Sequence, residues 1–141
     1  MSANTKDVKA IFFDAVLVSC YKKTQKSDEG KVSKNKLNMT TSDKNLWEHL
    51  DNLYESTPKK FIPAWYKGRD EKNMVSLKSQ YDIPVKIDST GETMSFDSFC
   101  ERGKIRGAKI KVKCNIKDYS IYPSAFVVFE DGEEYNAFEG F

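Results

Sequence analysis

The stretch AKIKVKCNI, residues 108–116, decides the fold class, because apolar and polar side chains alternate along it without a break. Successive side chains of a β-strand point to opposite faces. The pattern therefore predicts a strand with one buried face and one basic, solvent-facing side. The apolar positions are Ile110, Val112, Cys114 and Ile116, and the polar positions are Lys109, Lys111, Lys113 and Asn115.

Other segments on both sides of this strand also have strand-like composition. Residues 8–21 (VKAIFFDAVLVSCY) are dominated by β-branched and aromatic types and contain no Gly or Pro, which predicts one long buried strand or a bent pair. Residues 118–123 predict a turn, and residues 125–129 (AFVVF) predict a last buried strand. A hairpin is predicted from strand candidates at 74–81 and 83–87, with a Gly-containing turn following at 88–92.

One amphipathic helix is predicted over residues 43–57, ending before Pro58. Hydroxyl and carboxylate side chains at residues 40–43 offer N-caps, and apolar residues then recur at helical spacing. This spacing favours packing of the apolar stripe against a sheet, with contact to a partner protein as the alternative. The stripe comprises Leu46, Trp47, Leu50, Leu53 and Tyr54.

Residues 22–45 are polar and rich in lysine, so they predict a flexible basic loop or a loose hairpin that adds nothing to the core. The whole chain is then mainly β, with about five strands and one helix. Its length suits one domain, and neither a repeat nor a βαβ alternation is present. A small antiparallel barrel or sandwich over residues 1–129 is the expected architecture.

The charge of the chain is divided unevenly along its length. Of the 21 acidic residues, five lie in residues 130–141 (EDGEEYNAFEGF) and 16 precede them, whereas all 23 basic residues precede them. The body therefore carries a net charge of +7 and the tail −5. A basic body predicts binding of a polyanion, and the acidic aromatic tail either shields that site or recruits a partner.

Catalytic and metal-binding patterns are weak in this sequence. His49 stands alone, and no Ser or Cys occupies a nucleophile motif, so we expect no enzymatic activity and no cofactor. Cys20, Cys100 and Cys114 lack the close spacing of metal ligands. With no signal-like or membrane-spanning run, we expect an intracellular protein with reduced thiols and no membrane association.

Aromatic residues lie next to basic residues at several points of the chain. Single strands of nucleic acid are held by stacking of bases on aromatic rings, while Lys and Arg contact the phosphates. Arginines are few among these cations, which favours sequence-tolerant backbone contact over the recognition of base edges. The alternative is that the lysines are the wet face of ordinary strands and that Trp65 closes one end of a barrel. The candidate contact residues are Tyr21, Lys22, Lys23, Trp65, Tyr66, Lys67, Arg69, Lys78, Tyr81, Lys104, Arg106, Lys109, Lys111, Lys113 and Tyr122.

Three features together resemble the small single-stranded DNA-binding proteins of bacteriophages and large DNA viruses. The first is residues 99–116 (FCERGKIRGAKIKVKCNI), where a small-residue turn leads into the alternating strand. The second is residues 119–131, where a turn with Tyr122 and Pro123 precedes the last strand, and the third is the acidic tail ending in Phe141.

This resemblance implies an oligonucleotide/oligosaccharide-binding (OB) barrel of about five antiparallel strands. It also implies a basic loop at 22–45 that closes over DNA, and a tail that recruits replication proteins. The tail residues for that role are Glu133, Glu134, Tyr135, Phe138 and Phe141.

We therefore expect a sequence-tolerant single-stranded DNA-binding protein of viral or phage DNA replication or recombination, either a monomer or a dimer. The alternative is a small viral or accessory protein that binds and modulates a host protein, through the helix stripe or the tail. The sequence favours DNA over RNA as the nucleic acid only through the resemblance.

Overall fold

The computed structural model describes residues 8–27, 30–56, 74–117 and 120–133. Within these ranges the protein is mainly β, with seven strands in one sheet and two helices. The fold class predicted from the sequence is thus confirmed, with a second helix and a larger strand count than expected. The elements are β1 (Val8–Ser27), β2 (Gly30–Thr40), α1 (Lys44–Ser56), β3 (Met74–Ser79), β4 (Val85–Ile87), β5 (Thr93–Met94), α2 (Phe96–Arg102), β6 (Lys109–Lys117) and β7 (Ser120–Glu130).

The sheet has the strand order β3-β2-β1-β6-β7-β4-β5. β1 is long enough to serve two partners: its first half pairs with β6 and its second half with β2, and the change falls at Val16. β3 also lies against β7, although no ladder joins the two among the described residues. The strands β3-β2-β1-β6-β7 therefore curl around a common core as a partly open barrel, an arrangement consistent with an OB-like fold.

β4 and β5 extend this sheet beyond β7. β4 pairs with β7 in parallel and with β5 antiparallel, so the sheet is mixed where an antiparallel one was predicted. β3 pairs with β2 and not with 83–87, whereas the Gly-containing turn predicted at 88–92 does close a hairpin, which joins β4 to β5. Local sequence contains the strand propensity but not the choice of a distant partner.

In its described part the segment 22–45 forms a hairpin, which was one of the two predictions, but the expectation that it adds nothing to the core is wrong. β2 alternates buried and half-buried side chains, and Leu37 and Met39 are fully buried. Lys34 and Lys36 take the outward positions on either side of the buried Asn35. Lysine on the wet face of a strand is common, and here it gave the segment the composition of a loop.

The predicted helix is confirmed as α1, and its apolar stripe belongs to the core. Leu46 and Leu50 are fully buried, and Trp47 is nearly so. The Trp47 indole Nε1 donates a hydrogen bond to the backbone carbonyl six residues earlier, at 2.9 Å. These three residues therefore pack into the core, as the sequence favours; the side chains of Leu53 and Tyr54 lie outside the described residues.

Helix α2 was not anticipated, because seven residues are too few for a periodic signal. The Ser95 side chain caps it by accepting a hydrogen bond from the Ser98 backbone N–H at 3.1 Å. Phe96 and Phe99 are buried on its inner face, and the Phe99 ring meets Phe126 of β7 edge to face, with centroids 5.2 Å apart. The helix therefore packs into the core beside β7.

The last strand starts earlier than predicted. β7 includes Tyr122 and Pro123, which the sequence placed in a turn. Proline is tolerated in a strand where the ladder is interrupted, and the register of β7 with β6 shifts just after Lys113. The Ser124 hydroxyl donates to the Lys113 carbonyl at 3.1 Å, which satisfies an acceptor at this irregularity.

Candidate nucleic-acid interface

A ring and two cations form one row across the outer face of three strands. Tyr21 lies opposite Lys36 in the β1–β2 ladder, and Lys36 lies opposite Lys78 in the β2–β3 ladder. Directly opposite residues of a sheet project from the same face. Tyr21 is 42% exposed, and the Lys36 ammonium lies 5.9 Å from the centre of its ring, within the range of a cation–π contact.

A cleft of about 580 Å³ continues from this row into the gap between β3 and β7. Lys34 and Lys78 line it on one side and Tyr122 on the other, and Tyr81 also contributes to its wall. Tyr81 is 71% exposed and Tyr122 is 36% exposed. The cleft therefore presents two aromatic rings together with two ammonium groups. Its lining residues are Lys34, Lys78, Ser79, Gln80, Tyr81, Asp82, Asn115, Tyr122, Pro123 and Ser124.

Buried polar contacts hold the cleft in shape. The Asn35 side chain, which is 7% exposed, donates to the Tyr81 backbone carbonyl at 2.9 Å. The Ser79 hydroxyl accepts from the Tyr81 backbone N–H at 3.1 Å. These two bonds fix the backbone that carries the Tyr81 ring, so the ring stands at a defined place on the rim.

The row and the cleft share Lys78 and form one surface, which we call the tyrosine–lysine surface. Single-stranded nucleic acid needs flat rings for its bases and cations for its phosphates, and this surface combines both at the open seam of the barrel. Its members among the described residues are Tyr21, Lys34, Lys36, Lys78, Tyr81 and Tyr122.

The lysines of β6 form a second basic surface, separate from the tyrosine–lysine surface. Lys109, Lys111 and Lys113 are all exposed, as the alternation predicted. Lys109 forms an exposed ion pair with Glu130 at 3.3 Å, and the Lys113 ammonium lies 6.0 Å from the centre of the Phe12 ring. An acidic side chain and an aromatic ring thus lie beside two of these three lysines.

Apolar side chains are exposed beside these β6 lysines. Phe12 is 51% exposed and Phe129 is 52% exposed. Val16 and Phe129 line a second cleft of about 660 Å³ that also includes Lys109. Phe12 stands next to Phe13 in an apolar run, so no local pattern marks it as the outward-facing residue. The pleat of β1 places the two rings on opposite faces of the strand.

Other predicted contact residues lie away from the tyrosine–lysine surface. The Lys22 ammonium binds the Asp97 carboxylate of α2 at 3.2 Å. Lys104 and Arg106 lie between α2 and β6, where their backbone carbonyls accept hydrogen bonds from Gly132 and Glu133 at 2.9 and 2.8 Å.

The chain after β7 is thus held against the segment that precedes β6. An ion pair between Arg102 and Asp131, at 2.8 Å, adds to this contact. Gly132 is needed there, since a Cβ would come within 2.5 Å of the Arg106 carbonyl oxygen. The first residues of the acidic tail are therefore fixed to the barrel.

Several predicted site residues lie outside the described residues. These are Trp65, Tyr66, Lys67 and Arg69, the tail residues Glu134, Tyr135, Phe138 and Phe141, and the side chain of Lys23. The flexible-arm role of the region 22–45 is not supported where that region is described, because both strands of the hairpin belong to the sheet.

Lys34 and Lys36 are the contact candidates that sequence analysis missed. Both fell in the segment that was assigned to a loop. The signal that identifies them is their alternation with Asn35 and Leu37, which are buried. A strand assignment for residues 30–40 places the two lysines on one face without further information.

In the described ranges, no group of three or more His, Cys, Asp or Glu side chains comes together in a way that could hold a metal ion. Of the helices that the structure describes, none has the length and apolar character needed to cross a membrane.

A mainly β fold whose sheet forms a partly open barrel is consistent with an OB-like protein. No protein-family model matches the chain, and no curated protein matches it significantly in sequence. Among solved structures, the fold is similar to that of the single-stranded DNA-binding protein from bacteriophage Enc34. The two share 13% sequence identity with a TM-score of 0.53, over 91% of this chain and 86% of the other. The resemblance noted from sequence is confirmed as a similarity of fold.

Proposed function

We propose that this protein binds single-stranded DNA with little sequence preference. The observation that carries the proposal is the tyrosine–lysine surface, where three exposed rings and three lysines meet at the seam of the barrel. The similarity in fold to a phage protein whose name states single-stranded DNA binding supports the same assignment.

Two kinds of contact account for the binding. Bases stack on Tyr21, Tyr81 and Tyr122, and stacking tolerates any base because each base has a π-face. Phosphates meet the ammonium groups of the surface lysines, and the released counterions favour association. A duplex keeps its bases stacked inside the helix, so only the second kind of contact is available to it.

The type of cation supports sequence tolerance. Bidentate recognition of a base edge is the usual task of arginine. Of the arginines that the structure describes, Arg102 pairs with Asp131, and neither Arg102 nor Arg106 lines the cleft. The tyrosine–lysine surface itself contains lysine only.

The biological setting is proposed from the same function. A single-strand binder of this kind acts in viral or phage DNA replication or recombination, without catalysis and within the cell. The acidic end of the chain recruits replication proteins, which its five acidic residues and its aromatic residues support. The described start of this acidic end is held beside α2, through the contacts of Asp131 with Arg102 and of Glu133 with the Arg106 carbonyl.

Fluorescence anisotropy of labelled oligothymidine and of a matched duplex, each at low and moderate salt, tests the proposal. We expect tight, salt-sensitive binding of the single strand and much weaker binding of the duplex. Equal affinity for both would mean that phosphate contact alone operates. Absence of binding to either would overturn the proposed function.

A further inference from the structure

Two cysteines that are far apart in sequence meet in the structure. Cys20 lies in β1 and Cys100 in α2, and their sulfur atoms are 3.5 Å apart. The Cys100 thiol also faces the Cys20 backbone carbonyl, at 3.6 Å. A disulfide bond is about 2.05 Å long, so the two sulfurs need to approach by only about 1.5 Å to bond.

We propose that Cys20 and Cys100 are a redox-sensitive pair, which a low-molecular-weight disulfide such as oxidised glutathione converts to a disulfide bond between β1 and α2. This inference goes beyond the proposed function and does not rest on it. In a reducing compartment such a bond is transient and responds to the oxidation state of the thiol pool.

Cys20 and Cys100 differ in pKa and in exposure, and this difference assigns them to different steps of the reaction. The hydrogen bond between the two thiols lowers the pKa of Cys100; burial, Asp97 and Glu101 oppose this shift, and the Lys22 ammonium adds to it. The same hydrogen bond, together with burial, raises the pKa of Cys20. Cys100 is also the more exposed of the two. Cys100 is therefore the thiolate that attacks first, since the thiolate is the reactive form.

The exchange proceeds in two steps that balance. The Cys100 thiolate attacks one sulfur of oxidised glutathione, which forms a mixed disulfide and releases one glutathione thiolate. The Cys20 thiol then gives up its proton and its sulfur attacks that of Cys100, releasing the second glutathione. Two protein thiols lose two electrons, and one glutathione disulfide is reduced to two thiols.

Cys114 provides an internal comparison. It is fully buried on the inner face of β6, and burial raises its pKa. Burial keeps oxidised glutathione away from the Cys114 sulfur, so Cys114 should remain reduced. Cys20 is also buried with a raised pKa, but it needs to react only with the Cys100 sulfur, which lies 3.5 Å away.

The bond would join two elements that already touch. The Lys22–Asp97 ion pair links the same strand and helix. Closing a loop of about 80 residues restricts the unfolded chain, so the oxidised protein should melt higher, by on the order of 10 °C.

Thiol counting by mass spectrometry tests the inference on the full chain. The protein is incubated with oxidised glutathione, unfolded, labelled with a maleimide and weighed. We expect the labelled thiols to fall from three to one, with a proteolytic fragment joining Cys20 to Cys100. The matched control Cys114→Ser should form the same link, whereas Cys20→Ser should accumulate glutathione on Cys100.

Three results would overturn the inference: three labelled thiols after oxidation, a lasting glutathione adduct on Cys100 in the wild type, or a link that includes Cys114. A melting scan with and without dithiothreitol follows the expected stabilisation, which Cys100→Ser should lack. Nucleic acid takes no part in these measurements, so their failure is distinct from failure of the proposed function.

Discussion

Exposed rings are the residues on which the proposed contact with bases depends. Core aromatics such as Phe13 and Phe126 are fully buried, whereas Tyr21 and Tyr81 are 42% and 71% exposed. A tyrosine on a wet surface keeps a polar hydroxyl in water and leaves its ring face available for stacking. The tyrosine–lysine surface therefore has exposed rings without the solubility cost of exposed phenylalanine.

Replacement of Tyr81 by alanine should weaken oligothymidine binding by about 1–3 kcal/mol, or roughly 5- to 150-fold. The ring is the most exposed on the surface, so its removal should leave the melting temperature almost unchanged. Anisotropy titrations of the wild type and Tyr81→Ala give the difference directly.

Phe129→Ala is the matched control for this ring. Phe129 is 52% exposed, but it lies near the other end of β7 from Tyr122. We expect its loss to change oligothymidine affinity by less than about twofold, since it makes no stacking contact with DNA. A large loss with Phe129→Ala and none with Tyr81→Ala would move the binding site to the apolar face beside β6.

At the scale of elements, the β1–β2 hairpin both builds the core and presents the binding surface. Its inner residues Leu37 and Met39 are fully buried, and its outer residues Lys34 and Lys36 carry charge toward the surface. The same hairpin therefore stabilises the barrel and positions the ammonium groups of the tyrosine–lysine surface.

Leu37→Ala should lower the free energy of unfolding by about 2–5 kcal/mol, because it removes a buried side chain and leaves a cavity. Urea denaturation monitored by tryptophan fluorescence measures the loss. Lys34→Ala, on the outward face of the same strand, should change stability by less than about 0.5 kcal/mol. Equal and small effects of both substitutions would restore the interpretation of the segment as a loop.

The strength of the local signal explains which elements could be predicted. Residues 108–116 alternate strictly and gave β6, and the stripe beginning at Leu46 gave α1. Among the β2 residues whose burial is described, only Leu37 and Met39 are apolar and inward, so lysine hides the periodicity of this strand. The short α2 and the parallel pairing of β4 depend on tertiary contacts, which no local pattern contains.

The candidate site was predicted in part for the same reason. Tyr21 and Lys78 were chosen because each has a ring or a cation nearby in sequence, and the structure brings them together through β2. The lysine that joins them, Lys36, was missed with its strand. The sequence predicts which types of side chain form the surface, whereas the register of the sheet determines how these side chains lie relative to one another.

For the whole molecule, the net charge divides between a basic body and an acidic end. The body attracts nucleic acid over distances comparable to the Debye length, whereas the local surface decides where it binds. The number of phosphates neutralised in the complex therefore distinguishes long-range attraction by the whole basic body from contact with the lysines of the tyrosine–lysine surface.

Neutralising two lysines of the surface should reduce the salt dependence of binding. On single strands each neutralised phosphate contributes about −0.7 to the slope of log K against log salt, so Lys36→Ala with Lys78→Ala should make the slope shallower by about 1.4. Anisotropy titrations across a salt series give the slope.

Lys44→Ala is the control for these charges. Lys44 is exposed at the start of α1. It follows the C-terminal end of β2, whereas Lys34 lies in the first half of that strand. Its removal should leave the slope unchanged, since it touches no phosphate in the proposed complex. A similar change of slope for Lys44→Ala would indicate diffuse attraction to the whole basic body.

NMR chemical-shift mapping with oligothymidine shows directly whether single-stranded DNA lies on the tyrosine–lysine surface. Shifts are predicted at Tyr21, Lys36, Lys78, Tyr81 and Tyr122, with little change at Lys44 or Phe129. Shifts confined to the β6 face beside Phe12 and Phe129, or no shifts at all, would contradict the account.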